Sequence, residues 1–529
     1  MGRDQPNILF LMSDQHSFRH LSHQTESEGG TPEPVRTPTL DDLAGSAARF
    51  GNAYCPAPIC GPSRQAILTG REEARSGGWS NSAVLPDLPT LPGTLSDAGY
   101  NTALIGKMHL GGDRQFVGFD HRPYGDLTGF MGHQGEPPNP HKGNPTDWKS
   151  LITDVGVTNT PESLLQEHNA AQETVAFIRE QQHRNPDQPW FLCTSLSRPH
   201  WPRTVPRRHF ERYWPDDVPE PKVVEDSATY DHPATRALAE FTKSREVSEE
   251  ERQRARAAYF ACVDYVDEIL GDLFSRLERE GLLDDTIVVY TSDHGELAGE
   301  HGLWEKMTWH EASAKVPLLI QLPDHRSGDR EATYVDTPVS LVDLYPTLCG
   351  LAGVDTPDDL DGRDLASSLR TGTEPTSRPV FVDGFFLERL PGETDDYQYR
   401  CVRRGKYKYV RFKDAPELLF DLEADPLERH DLAADAAARD AEDDDALADL
   451  RALTNETIDF EEIDEIRERD RELTEDHTFG PSKGDPNQYH FPDGRVIDAD
   501  SAIYNPHVVC EHPEVVYDDY EGPGFEREP

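Results

Sequence analysis

Short apolar runs rich in β-branched and aromatic residues punctuate the first three-fifths of the chain: Asn7–Met12, Asn101–Ile105, Trp190–Ser195, Thr286–Thr291 and Val316–Ile320. Each is short enough for a strand and is bounded by polar or turn-forming residues. Between them, apolar positions recur at helical spacing over Pro38–Phe50, Pro161–Gln182, Ser248–Glu280 and Ser340–Ala352. Strands alternating with helices predict an α/β fold, with a large, mostly parallel central sheet covered on both faces. The rhythm changes from about Arg378. Pro379–Phe385, Tyr399–Arg403 and Tyr407–Phe412 are closely spaced, with Arg404-Gly405 as a turn, and predict a small C-terminal α+β subdomain built on an antiparallel sheet. Residues 432 to about 478 are rich in Ala, Asp and Glu and predict helices with few core positions. The last fifty residues, with Tyr489, Phe491, Tyr504 and Tyr517, read either as an extended segment wrapping the domain or as disordered chain. The pattern therefore divides the chain into 1–377, 378–431 and 432–529, without internal repeats.

Composition changes this picture in two ways. The chain carries 99 acidic against 52 basic residues, a net charge of −47, and only 11 of the basic residues are lysine. A field of that sign repels nucleic acid and anionic membranes, so neither is an expected partner, and any anion site must be locally positive. The composition itself points to halophilic adaptation, in which salt screens the self-repulsion. The seven cysteines are an odd number scattered from Cys55 to Cys510, which suits a reducing compartment rather than a disulfide framework. No apolar stretch approaches the roughly 18 residues that span a bilayer. The start Met1-Gly2-Arg3-Asp4-Gln5-Pro6 offers neither a secretory leader nor, with Pro6 in the critical place, a myristoylation signal. A cytoplasmic location is expected. The acidic tail allows contact with a neighbouring subunit, hence a possible homo-oligomer.

The chemistry collects just after the predicted strands. Asp14, Gln15 and His16 follow the first, Lys107 and His109 the second, Arg198 and His200 the third, Asp293 and His294 the fourth. Ligands of open α/β sheets bind beyond the carboxyl ends of the strands, so these side chains are expected in one polar site. Two carboxylates, an amide carbonyl and an imidazole suit one divalent cation. The oxygens favour Ca2+, Mg2+ or Mn2+, and the nitrogen tilts the choice towards Mn2+ or another transition metal. The alternative is that Asp14 and Asp293 only cap the helices behind their strands. His16 reads as structural or exposed, His20 and His23 as part of a solvated loop, and His310-Glu311 as a candidate substrate contact.

A lone buried cysteine is usually a small hydrophobe, the reading given to Cys193, Cys262 and Cys349. Cys60 stands instead in Cys60-Gly61-Pro62-Ser63-Arg64, followed by Leu68-Thr69-Gly70-Arg71. This run resembles the signature of the type I, formylglycine-dependent sulfatases, in which a dedicated maturation enzyme oxidises the cysteine to formylglycine. The resemblance extends from Pro6-Asn7-Ile8-Leu9 to the neighbourhood of His430. It takes in Gly106-Lys107-Met108-His109, Pro199-His200-Trp201-Pro202, Asp293-His294-Gly295-Glu296, Lys306, Asp343-Leu344-Tyr345-Pro346-Thr347, Asp361-Gly362-Arg363 and Leu419-Phe420-Asp421-Leu422 with Asp425-Pro426.

That resemblance implies an alkaline phosphatase-like fold and hydrolysis of a small-molecule sulfate ester to an alcohol and inorganic sulfate. A hydrated aldehyde has two hydroxyls on one carbon, one to attack sulfur and one to expel sulfate. By the same resemblance Asp14, Gln15, Asp293, His294 and the modified Cys60 hold the metal. Arg64 and Lys107 stabilise the alkoxide, Lys306 holds the sulfate, His109 takes the proton from the spare hydroxyl, and His200 protonates the departing alcohol. The chain departs from the commoner pattern of two consecutive aspartates and a later Asp-Asn pair. Asp14-Gln15 and Asp293-His294 are closer to choline sulfatases and phosphonate monoester hydrolases, so a phosphonate monoester or phosphodiester hydrolase stays open as an alternative. So does a catalytically silent binding protein on the same fold.

Overall fold

A computed structural model describes residues 5–23, 33–81, 83–111, 116–124, 148–215, 218–224, 228, 230–384, 397–476, 488–490 and 496–498. Phe491, Tyr504 and Tyr517 lie outside them, as does the predicted course of most of the last fifty residues.

The central sheet is built from β1 (Asn7–Asp14), β2 (Ala48–Phe50), β3 (Asn101–Gly106), β4 (His121–Tyr124), β5 (Trp190–Pro199), β6 (Thr286–Ser292), β7 (Leu318–Gln321) and β8 (Thr333–Val335), in spatial order β8-β2-β7-β6-β1-β5-β3-β4. The five strands from β6 to β4 are parallel, while β7 runs antiparallel to both β6 and β2. Continuous apolar runs are what such strands require, because both faces are buried. In β1, Ile8, Phe10 and Met12 enter one core layer, and Leu9 and Leu11 the other. The same alternation holds for Ile287 and Val289 against Val288 and Tyr290 in β6.

Helices α1 (Pro38–Ala44), α2 (Cys60–Thr69), α3 (Gln166–Arg184), α4 (Pro233–Phe241), α5 (Glu249–Arg279) and α6 (Leu344–Ala352) surround the sheet. The longest, α5, starts at a capping box in which the Ser248 hydroxyl accepts from the Glu251 amide and Glu251 accepts in return from the Ser248 amide. The helical reading of Pro38–Phe50 was too long. Helix α1 ends at Ala44, and Ala48–Phe50 becomes a strand because its backbone pairs with Leu319 and Ile320 on one side and 333–335 on the other. Periodicity in so short a run does not separate the two states. The run Val316–Ile320 is likewise broken at Pro317, with Lys315 and Val316 pairing in a separate small sheet.

The C-terminal antiparallel sheet comprises β9 (Val380–Gly384), β10 (Tyr399–Arg404), β11 (Tyr407–Phe412) and β12 (Leu418–Asp421). The turn falls at Gly405-Lys406 rather than Arg404-Gly405, with Gly405 at φ 58°. One face, including Val382, Cys401, Val410 and Phe420, joins the core of the main sheet. The other, with Val402, Tyr409 and Leu419, is covered by Leu447 and Leu450 of α7 (Ala441–Thr457). Helix α8 (Phe460–Asp476) packs Phe460 and Ile463 against Trp79. The acidic helices thus have a sparse apolar stripe, and they use it.

Candidate functional site

Four strand ends meet at one place. Asp14 closes β1 opposite Pro199 of β5, Ser13 lies opposite Ser292 of β6, and Gly106 of β3 lies opposite Ser195. Gly106 has φ 91°, and a Cβ there would stand 2.1 Å from the Ser195 carbonyl oxygen, so only glycine lets the chain turn here and deliver Lys107.

Cys60 is the first residue of α2, whose residues are buried throughout. Its position at a helix N-terminus favours negative charge. The helix is pinned to the site by Ser63, whose hydroxyl donates to the Asp293 carbonyl at 2.6 Å, and by Gln65, whose amide donates to the Ala83 carbonyl at 2.7 Å. Ligand atoms of Asp14, Cys60, Asp293 and His294 all lie within 4.8 Å of one another, and all four residues are buried. The Cys60 Sγ is 3.2 Å from His294 Nε2 and 3.8 Å from an Asp14 oxygen.

Fixed cations surround this cluster. Arg64 donates through Nε to Asp293 at 2.8 Å, through Nη2 to Asp14 at 3.0 Å, and through Nη1 to the Lys107 carbonyl and the Ser195 hydroxyl. Lys107 Nζ is 2.5 Å from Asp14 and 3.7 Å from Cys60 Sγ. Burial pushes the Cys60 thiol up, but Lys107, Lys306 and His294 outweigh it and hold the thiol well below its ordinary range. Cys193 shows the opposite outcome: burial pushes it up to about 12 against the weaker pull of Arg64 and Arg122. Burial raises the Asp14 carboxyl too, yet Lys107, His200 and Arg64 bring it down. His200 is lowered by burial and then by Lys107 and Lys306, and both His109 and His200 reach the Cys60 sulfur. Arg64 and Lys107 thus face the two carboxylates beside Cys60, with Lys306 close by, inside a chain of net charge −47.

Gln15 is buried beside the cluster with its backbone at φ 69°. Its Oε1 accepts from Lys306 Nζ at 2.5 Å. All ten residues named from the sequence thus come together: Asp14, Gln15, Cys60, Arg64, Lys107, His109, His200, Asp293, His294 and Lys306. Three others do not join the chemistry. His16 is held by the Tyr290 hydroxyl and the His20 carbonyl, and burial lowers it to about 4. His310 is buried against the Tyr230 and Thr308 hydroxyls, and Glu311 pairs with Lys408, so neither is placed as a substrate contact. His20 corrects the solvated-loop reading: it is buried against Tyr259 and Phe260, whereas His23 pairs with Asp41 at 2.9 Å. Sequence reasoning missed Arg203, Glu296 and Glu305 behind Gln15, and Glu167, which holds Arg198 beside His200. Glu296 stood inside a quoted motif, but nothing in the sequence tied the other three to it.

A cysteine among carboxylates, an imidazole and fixed cations, at the top of a parallel sheet, is an arrangement suited to a metal-assisted enzyme with a nucleophile at Cys60. The comparisons make this specific. Residues 6–354 match the sulfatase family model, and 299–452 match that of the N-sulphoglucosamine sulphohydrolase C-terminal region. Choline-sulfatase of Rhizobium meliloti is 34% identical over 82% of this chain and 83% of its own. Arylsulfatase K of Bos taurus is 30% identical over 82% and 79%. The phosphonate monoester hydrolase of Agrobacterium radiobacter superposes with a TM-score of 0.68 at 25% identity, covering 85% and 96%. The chain belongs to the sulfatase family. It is a sulfuric ester hydrolase, and the family implies a divalent metal and a formylglycine at Cys60. The residues present fit both: two carboxylates and an imidazole converge on one point, and the Cys60 side chain reaches it.

Proposed function

We propose that the chain cleaves sulfate monoesters with Cys60, as formylglycine, for its nucleophile. The observation that carries this is the convergence of Cys60 Sγ with Asp14, Asp293 and His294 within 4.8 Å. An oxidised Cys60, once hydrated, supplies one hydroxyl for attack and another for release. A divalent cation at Asp14, Gln15, Asp293 and His294 supplies charge for the sulfate oxygens and acidity for the attacking hydroxyl. The oxygen donors suit Ca2+, Mn2+ or Mg2+, and the imidazole nitrogen of His294 tilts the choice towards Mn2+ or another transition metal.

The remaining roles fall to side chains. Arg64 and Lys107 fix the two carboxylates and stabilise negative charge on the nucleophile's oxygen. Lys306 binds a sulfate oxygen. His109 accepts the proton of the spare hydroxyl, and His200 donates one to the departing alcohol. A small alcohol, choline among the candidates, is supported by the 34% identity to a choline-sulfatase. The phosphonate reading is supported by the likeness to a phosphonate monoester hydrolase, while the pairs Asp14-Gln15 and Asp293-His294 suit either ester.

A formylglycine-generating maturation enzyme is the partner this chemistry needs. A reducing, cytoplasmic setting is supported by six free, buried cysteines among the described residues, and high-salt adaptation by the charge. Among the described residues no helix is long and apolar enough to cross a membrane. The three-part division of the chain at 377/378 and 431/432 is supported by the change of sheet type at Val380, although both sheets share a core. A homo-oligomer through the acidic tail is part of the same proposal.

Mass spectrometry of the Cys60 peptide from the native host is expected to show aldehyde in place of thiol. The same protein is expected to release alcohol faster from p-nitrophenyl sulfate or choline sulfate than from p-nitrophenyl phenylphosphonate. A faster phosphonate reaction, by orders of magnitude, reverses the order of the readings. An intact thiol with no turnover leaves the silent binding protein.

A further inference from the structure

We infer that Arg203, Glu296 and Glu305 are positioning residues that fix the Gln15 amide and, through it, Lys306; the inference rests on the roles given to Gln15 and Lys306 above. Gln15 Nε2 donates to Glu296, in very close contact, and to Glu305 Oε2 at 3.2 Å. Both amide hydrogens are thereby used. Turning the amide over would set Oε1 against two carboxylates, so Oε1 is forced to the other side, where Lys306 Nζ donates to it at 2.5 Å.

The two carboxylates are themselves held. Glu296 Oε1 accepts from the backbone amides of Ala298 at 2.8 Å and Glu305 at 3.0 Å. Arg203 Nη2 bridges Glu296 at 2.7 Å and Glu305 at 2.9 Å, with its guanidinium against the rings of Tyr259 and Trp304. The Tyr259 hydroxyl also donates to the Gln15 carbonyl at 2.7 Å. Arg203, Glu296 and Glu305 are at most 3% exposed, and Gln15 is fully buried. Two carboxylates face two cations, Arg203 and Lys306, and the group balances. A carboxylate at position 15 would add a third anion where water cannot screen it. The pair behind position 15 therefore calls for an amide there. This is why the reaction centre carries two carboxylates, Asp14 and Asp293, and not three.

The test is a double-mutant cycle between Gln15→Glu and Glu305→Gln in matured, metal-loaded enzyme, read as kcat/KM on p-nitrophenyl sulfate. Outer partners of a metal site typically cost about 10- to 100-fold when changed. Glu305→Gln, which frees the amide to turn, is expected to lose about that much, and Gln15→Glu at least as much. The pair Gln15→Glu/Glu305→Gln restores the charge count and leaves a donor at 305 for the new carboxylate, so it is expected to recover at least about tenfold over Gln15→Glu. A double variant no faster than Gln15→Glu, or a Glu305→Gln variant as fast as the wild type, overturns the inference. If Glu305→Gln does not fold, Glu305→Asp keeps the charge for Arg203 but withdraws the acceptor, and wild-type kcat/KM in that variant overturns it equally. Melting of the metal-free proteins separates this from the parent reading. Gln15→Glu is expected to melt below both the wild type and the double variant even if the wild type proves to turn over no sulfate ester.

Discussion

Cys55, Cys60, Cys193, Cys349 and Cys401 are all buried and chemically alike as residues, yet the Cys60 thiol is drawn down while burial raises the other four. What separates it from Cys55 and Cys193, both raised by burial, is the company of Lys107, Lys306 and His294. Motif density picked out Cys60 in the sequence, because a signature is local. Its electrostatics come from residues 47 to 246 positions away, which no local pattern contains. His200 carries a prediction at this scale. As the group that protonates the departing alcohol, it matters most when that alcohol is a poor leaving group. His200→Ala is expected to slow an alkyl sulfate by about 100-fold or more, and p-nitrophenyl sulfate much less, in paired kcat/KM measurements. Equal losses on both esters would remove the proton-donor role.

Among elements, the strands were more legible than their neighbours. Runs such as Ile8–Met12 are apolar on both faces because both faces are buried, whereas Ala48–Phe50 shows its strand nature only through the strands that pair with it. Helix α4 shows how a polar residue at an element's end answers to its surroundings. The His232 Nδ1 accepts from the Ala234 amide at 3.2 Å as the N-cap, while Nε2 donates to the Pro416 carbonyl at 2.9 Å. Only the neutral ring does both. Burial, reinforced by Arg236, lowers His232 from 6.5 to about 4. The unfolded chain therefore binds a proton that the folded one refuses, and stability is present above pH 6.5 and lost as pH falls from 6.5 towards 4. At about 1.4 kcal/mol per pH unit, the loss by pH 5 is about 2 kcal/mol. His232→Asn keeps a cap acceptor and does not titrate, so its urea midpoint is expected to fall less between pH 7 and pH 5 than that of the wild type.

On the scale of the whole molecule, two charge patterns act in opposite ways. The surface excess that gives −47 repels itself, so the melting temperature is expected to rise as KCl is raised from about 0.1 M towards 1 M, where the Debye length contracts from about 10 to about 3 Å. A flat or falling response would remove the high-salt reading. Inside, a buried lysine is one of the polar ties between the C-terminal sheet and the main body, beside the apolar core they share. Lys408 Nζ donates to Glu311 and Glu428 at 2.8 Å each, and the Tyr54 hydroxyl donates to Glu311 at 3.1 Å. Lys408→Met removes the cation shared by two buried carboxylates, leaving Glu311 with Lys315 at 3.8 Å, and is expected to cost about 3–5 kcal/mol in urea denaturation, with Lys408→Met/Glu428→Gln recovering part of it. An unchanged midpoint would mean that the tie contributes nothing.

By itself the sequence determined the alternation of strands and helices, the nucleophile's motif and the reactive side chains that follow the strands, because each is written in a few adjacent residues. Tertiary structure alone decided which buried polar groups serve the chemistry and which serve the fold. Glu305 and Glu311 are both buried glutamates in one short stretch, yet one holds the Gln15 amide and the other anchors Lys408. A buried charge takes its role from the partner that neutralises it, and those partners arrive from distant parts of the chain only when the sheet is assembled.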